Sequence, residues 1–428
     1  MLELIDGREQ STPVHIPRPR AITTVDPSQI VSGIVDDVRM RGDDALIELT
    51  AKFDGPRLTP EEIRVPEDVI SHGRSLVRPE LIDALEVMAE RLRRTCEQQM
   101  PQEWFDRSTG DEVIGELIRP LRRVGVYVPG GRASYPSTVI MASIPAQVAG
   151  VGQVAVASPL DGRGEVSEAV LAACSVAGVT EVYRVGGAQA IAALAYGTTT
   201  VRPVDKIVGP GNIYVTLAKR QVRGWVGTDS EAGPTEIAII ADDTASADVL
   251  AADIVAQAEH GPLGTHALIT WQPEVAERVM ALLEIEVARH ERPEELENTL
   301  IEGGRAVLVR DRKHAFETSN LFAPEHLQLN FEGAWDSLEL VRNAGSVFVG
   351  PFTPVPVGDY VGGTNHVLPS GGSARFESGL GVNDFLKRIY VSMLDESALE
   401  RMSPHVEALA EAEGLFGHAR AVSRRLER

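Results

Sequence analysis

The chain has 428 residues, of which 43% are apolar and 24% charged, so it can bury substantial cores, and it is long enough that two or more lobes are expected. Its 41 Lys+Arg stand against 62 Asp+Glu, a net charge of -21, which repels nucleic-acid backbones and anionic lipid surfaces and argues against both as partners. Only Cys96 and Cys174 are present, outside any C-x-x-C pair, which excludes a disulfide framework and fits a cytoplasmic protein.

The N-terminus is charged within three residues and carries no apolar stretch of signal-peptide type, so no leader is expected. Asp26-Pro27 supplies a cap and first-turn proline for a helix through Ile30, Ile34 and Val38, continuing past Gly42 with Leu46 and Leu49. Leu81, Leu85, Met88 and Leu92 predict an amphipathic helix over 79–99. The apolar stretch 139–156 is broken by Pro145, Gly150 and Gly152 and reads as a buried soluble segment rather than a membrane span.

From 112 to 380, strand-length apolar runs begin at Val124, Val154, Val182, Lys206, Ile237, Ala267, Val307 and Ser346, with helix-length segments such as 188–196 and 245–259 between them. That alternation predicts parallel α/β units. The expected fold is therefore α/β: two Rossmann-like lobes without the standard dinucleotide fingerprint, flanked by helical extensions. Expected boundaries are a helical N-terminal extension over 1–111, a first lobe over 112–240, a second over 241–380 and a helical C-terminal tail over 381–428. The polar stretch 284–304 is a candidate break.

Glycine closes three of these strands, at Val128-Pro129-Gly130-Gly131, Val185-Gly186-Gly187 and Val208-Gly209-Pro210-Gly211-Asn212. Such turns open helix N-termini that attract phosphates, and they equally suit any tight βα turn. No G-x-G-x-x-G occurs.

Of ten histidines, four lie in acid- and glycine-rich surroundings: His260 after Gln257-Ala258-Glu259, His326 after Pro324-Glu325, His366 beyond Gly358-Asp359, and His418 after Glu413-Gly414. His260, Asp359 and one or two of His326, His366 and His418 could supply a zinc set. The ordinary reading, histidines satisfied by backbone carbonyls, is the commoner fate of any single one. It is assigned to His15, His72, His266, His290, His314 and His405. Glu325-His326 suits acid and base work only if Pro324 holds the pair in a loop, because neighbours on a strand face opposite ways.

In this order the motifs resemble the histidinol dehydrogenase family: Val124 to Gly131, Gly186 to Ala195, Val204 to Asn212, Ala232 to Glu236, Gln257 to His260, Ala323 to Leu327, Gly358 to Tyr360 and Gly363 to Pro369. The resemblance implies zinc held by Gln257, His260, Asp359 and His418, and catalysis by Glu325 and His326. Ligand chemistry alone points to Glu259 rather than Gln257, since a neutral amide is an uncommon zinc ligand. It further implies NAD contacts at Tyr127, Gln189 and Asn212. The substrate would meet Thr235, Gln257, His260, His326, Asp359, His366, Glu413 and His418.

The family pattern is a homodimer in which the segment with Glu413 and His418 completes the partner's site. The implied reaction is L-histidinol to L-histidine through L-histidinal with two NAD, and it needs no cysteine. Thr235 stands where many members have Ser, and Gly261 where an Asp is usual. The second departure keeps a related zinc and NAD alcohol dehydrogenase in view, acting on another small polar alcohol such as a sulfonated diol; Tyr360, Val367 and Glu413 favour histidinol. A zinc hydrolase without NAD and a pure small-molecule binder are the rivals from other classes.

Overall fold

Two parallel sheets take up the apolar runs. The computed structural model describes residues 1–19, 26–130, 134–231 and 233–427. The first sheet has five strands in the spatial order Glu181–Arg184, Gln153–Ser158, Arg123–Tyr127, Lys206–Val208 and Gly227–Thr228, all parallel. In chain order that is 3-2-1-4-5, the doubly wound arrangement. The second sheet repeats it with Gly304–Leu308, Thr265–Thr270, Glu236–Ala241, His326–Asn330 and Ser346–Val349, and adds Glu3–Asp6 at one edge.

The central strands of each sheet are buried on both faces, which is why most of them read as apolar runs. Val124, Val126 and Val128 pack under the helices Pro79–Gln98 and Pro136–Val148, while Ala155, Ala157 and Ile207 meet Pro27–Arg41 and Gly187–Tyr196 on the other side. In the second sheet Ile237, Ile239 and Leu268 face the helices Ala247–Ala258 and Pro273–Arg289, while Ala238, Ile240 and Ile269 face Arg312–Phe322. Asp26 accepts the Ser28 N–H at 2.9 Å and starts the first helix, which Gly42 divides from Asp43–Phe53.

Four expectations need correction. The N-terminal extension is not wholly helical: Glu3–Asp6 pairs with Gly304–Leu308, so the chain begins in the second sheet. The limit at 240 falls inside a strand, because Glu236–Ala241 is central to the second sheet. No break lies at 284–304, where Pro273–Arg289 and Pro293–Gly303 form successive helices against that sheet. After the short 3-10 turn Val382–Phe385, the tail continues as a nine-residue strand, Leu386–Leu394, antiparallel to Glu112–Pro120 in a three-stranded ribbon with Trp104–Asp106. That strand is exposed or half-buried throughout, so it lacks the alternation by which a strand is recognised.

Among the described residues no helix is long and apolar enough to cross a membrane.

Candidate active site

The catalytic candidates gather at the N-terminal ends of two central strands of the second sheet. His326 opens the strand His326–Asn330, so Glu325 precedes the pleat, and Ala323 before it adopts a left-handed φ of 51°. This turn lets neighbouring side chains share one site. Glu325 Oε2 lies 3.6 Å from His326 Nδ1.

Hydrogen bonds order the cluster. Glu325 Oε2 accepts the Thr235 hydroxyl at 3.0 Å and the Glu236 N–H at 3.0 Å. Thr235 in turn accepts the Gln257 amide N–H. His326 Nδ1 faces the Glu236 carbonyl at 2.9 Å; a carbonyl only accepts, so Nδ1 carries the proton and Nε2 keeps its lone pair. That Nε2 points toward Asp359, 3.8 Å from Oδ1. His366 Nδ1 bonds the Asp359 carbonyl at 2.9 Å, and its Nε2 meets the Thr138 hydroxyl at 3.4 Å. Thr138 lies in the first turn of Pro136–Val148, a helix packed on the first sheet, so this hydrogen bond ties the catalytic cluster to that lobe.

Burial is the main influence on the ionisable groups. It pushes the Glu325 carboxyl up to about 8, only partly opposed by its two donors. It lowers His326 and His366, each opposed by the Asp359 charge. These imidazoles are neutral near pH 7, as a base or a metal ligand must be.

Gln257 and His260 come from the C-terminal end of Ala247–Ala258, where the helix dipole favours a cation. Gln257 is 2% exposed, and its Oε1 makes no hydrogen bond with any described residue. His260 sits on the rim, its ring likewise without a hydrogen bond among the described residues. Glu259 turns the other way and pairs with His290 at 2.5 Å. The choice of Glu259 from ligand chemistry is thereby corrected: the helix presents Gln257 to the cluster. The pairing also gives His290 a carboxylate partner in place of the expected carbonyl.

Among the described residues no three His, Cys, Asp or Glu side chains form a metal-holding group. The single chain still offers an amide oxygen, a neutral imidazole and a carboxylate at a helix C-terminus, a donor set that fits zinc once a further ligand is added. His418 and Glu413 are not part of the cluster. Both are exposed, His418 on Phe416–Leu426 and Glu413 just after Glu396–Ala412.

The NAD candidates line a separate cleft of about 760 Å³ at the C-terminal ends of the first sheet's strands. The Tyr127 hydroxyl accepts the Gly187 N–H at 3.0 Å, and Asn212 caps the helix Ile213–Val222 by accepting from Tyr214 N and Val215 N. Gly209 has φ 110°, and a Cβ there would meet the Tyr127 carbonyl oxygen at 2.1 Å, so only glycine fits this turn. Asp229 accepts the Gly209 N–H at 2.7 Å while Lys219 donates to its carbonyl, and the two side chains form a buried ion pair. Gly131 and Ala232 of the motifs lie outside the described residues.

Several contributors were not named as site residues: Glu236 acts through its backbone, and Ile34, Lys52, Phe53 and Asp54, which carry no motif, reach the cleft from the N-terminal helices. Cys174 is fully buried with its thiol raised by burial, and Cys96 is pushed up to about 11. Neither supplies a thiolate at neutral pH.

A histidinol dehydrogenase family profile matches residues 18–426. The chain belongs to the histidinol dehydrogenase family. It is 46% identical over 392 residues to a histidinol dehydrogenase from Synechococcus sp., covering 92% of this chain and 90% of that one. A histidinol dehydrogenase from Methanothermobacter thermautotrophicus is 45% identical over 396 residues, 92% of each chain. The crystal structure of histidinol dehydrogenase from Elizabethkingia anophelis superposes with TM-score 0.94 at 35% identity, covering 100% of this chain and 98% of that one. An acetylating aldehyde dehydrogenase from Geobacillus thermoglucosidasius, 12% identical with TM-score 0.50 over 86% of this chain and 97% of its own, shares the fold alone. As a histidinol dehydrogenase family member the chain is a dehydrogenase.

Proposed function

We propose that the protein oxidises L-histidinol to L-histidine through L-histidinal, passing two hydrides in turn to two NAD molecules at a site holding one zinc ion. The observation that carries this reading is the buried Thr235, Glu325, His326 and Asp359 cluster, with the Gln257 side chain hydrogen-bonded to Thr235 beside it.

Gln257, His260 and Asp359 would hold the zinc, with His418 of the partner subunit as the fourth ligand. When bound, the ion supplies a cationic anchor for the nitrogens of the substrate. NAD, contacted by Tyr127, Gln189 and Asn212, supplies the hydride acceptor. His326 Nε2 takes the alcohol proton as the carbinol carbon loses hydride, giving the aldehyde. Glu325, in its ionised form, then removes a proton from water as its oxygen adds to the aldehyde carbon. The hydrated aldehyde loses a second proton to His326 and a second hydride, leaving the carboxylate. His366 and Glu413 of the partner subunit would line the substrate pocket, and Thr235 holds Glu325 in line.

Purified protein given L-histidinol and excess NAD should form two NADH per histidinol, stop when a chelator removes the metal, and recover with zinc. Elemental analysis should find one zinc per chain. Full turnover in metal-free protein, or one NADH with histidinal as the end product, would overturn the proposal.

A further inference from the structure

The wall of the cleft opposite the first sheet is built by the N-terminal helices: Ile34 from Pro27–Arg41, then Lys52, Phe53 and Asp54 at the end of Asp43–Phe53. Two carboxylates line this cleft, Asp54 and Asp161. In doubly wound sheets the acid that reads the adenosine ribose normally follows the strand beside the first one. Here that place belongs to Asp161, which follows Gln153–Ser158. Asp161 is already engaged. Its Oδ1 accepts the Arg163 N–H at 2.8 Å and the Glu165 N–H at 3.2 Å, and its Oδ2 accepts the Arg163 guanidinium at 3.1 and 3.2 Å.

Asp54 is in the opposite condition. The Leu160 backbone lowers its carboxyl only in part, while its Oδ2 is buried without a hydrogen-bond partner among the described residues. Burial pushes the carboxyl up to about 6, so it is largely ionised at neutral pH and short of a donor. Its charge reaches Tyr127, on the sheet side of the same cleft. Phe53, 52% exposed, lies next to it, with Lys52 Nζ 5.3 Å from its ring centroid.

We propose that Asp54 accepts the adenosine 2′-hydroxyl of the dinucleotide and repels a 2′-phosphate, so that the N-terminal helical extension, not the sheet, chooses NAD over NADP. The hydroxyl supplies the missing donor, whereas a phosphate at that position brings like charge against a carboxylate. The assignment rests on the NAD reading above.

Calorimetric binding of ADP-ribose and 2′-phospho-ADP-ribose to the full chain tests it without turnover. Wild type should prefer ADP-ribose. Asp54→Asn should shrink that preference by roughly 10-fold or more, weakening the first probe and strengthening the second. Asp54→Ser should do the same if Asp54→Asn melts early. Asp161→Asn should leave the ratio of the two affinities unchanged. An unchanged ratio in the Asp54 variants while ADP-ribose still binds, or a shift produced by Asp161→Asn instead, overturns the assignment and spares the NAD reading. Wild-type protein that binds neither probe overturns both.

Discussion

Glu325 and His326 are one peptide apart and share the Glu236 backbone, yet their other neighbours differ. Glu325 is fastened by two donors on one oxygen, whereas His326 turns its free Nε2 toward Asp359. A division of labour is expected: His326 serves both oxidations, and Glu325 serves water addition. With histidinal supplied, Glu325→Gln should be slower by roughly 10²-fold or more on general-base magnitudes. Its single-turnover conversion of histidinol to histidinal should survive, and equal loss in both halves would refute the split. At this scale the sequence singled out Glu325 and His326 as candidates but not which side chains meet them. Gln257 and Glu259 are two residues apart on a helix and so diverge by more than half a turn; only the position of the sheet decides which one faces the cluster.

Arg123 and Glu181 sit on strands separated by Gln153–Ser158 and tie the first sheet together across it. Arg123 donates to both Glu181 oxygens, at 2.6 and 2.7 Å, Arg202 adds a third contact at 2.9 Å, and Tyr183 donates its hydroxyl. Burial would raise the Glu181 carboxyl, but the Arg123 and Tyr183 hydrogen bonds outweigh it and bring it from 4.5 down to about 2. A depressed carboxylate adds stability above its unfolded pKa and loses it as pH falls toward the folded value. Glu181→Gln should therefore destabilise the protein by roughly 3 kcal/mol near neutral pH, and the gap should narrow as pH drops below about 4.5 toward 2. Urea unfolding at several pH values measures this; a gap independent of pH would contradict it. Short strands with continuous apolar runs, such as Lys206–Val208 and Ser346–Val349, were legible to the residue. His326–Asn330 was not recognised as a strand, because its Gln328 and Asn330 interrupt the apolar run while lying buried.

The C-terminal arm leaves its apolar surface open. The helices Glu396–Ala412 and Phe416–Leu426 pack chiefly on one another, no residue of the second is buried, and Phe416 and Tyr390 are 70% and 81% exposed. His418 on that arm is expected to complete the partner's site. Co-expressing a His326→Ala chain with a His418→Ala chain, each inactive alone, tests it. In a mixed dimer the intact His326 and intact His418 lie on opposite chains, so one of its two sites is whole. Random pairing should restore roughly a quarter of wild-type sites in a two-fold dimer. Background activity, with mixed dimers confirmed by differential tags, would confine the site to one chain.

Residue pattern by itself determined the α/β class, the glycine turns and the family, because buried parallel strands and tight turns restrict which residues each position accepts. Tertiary structure alone decided that both sheets repeat one strand order, with a helix packed on the first tied to the catalytic cluster of the second. That placement joins Thr138 to His366 across 228 residues of chain. It also brings Asp54 into the cleft and keeps His418 out of the cluster. The physical reason is that local pattern records burial and turn geometry, whereas a site between two sheets depends on how separate cores pack together.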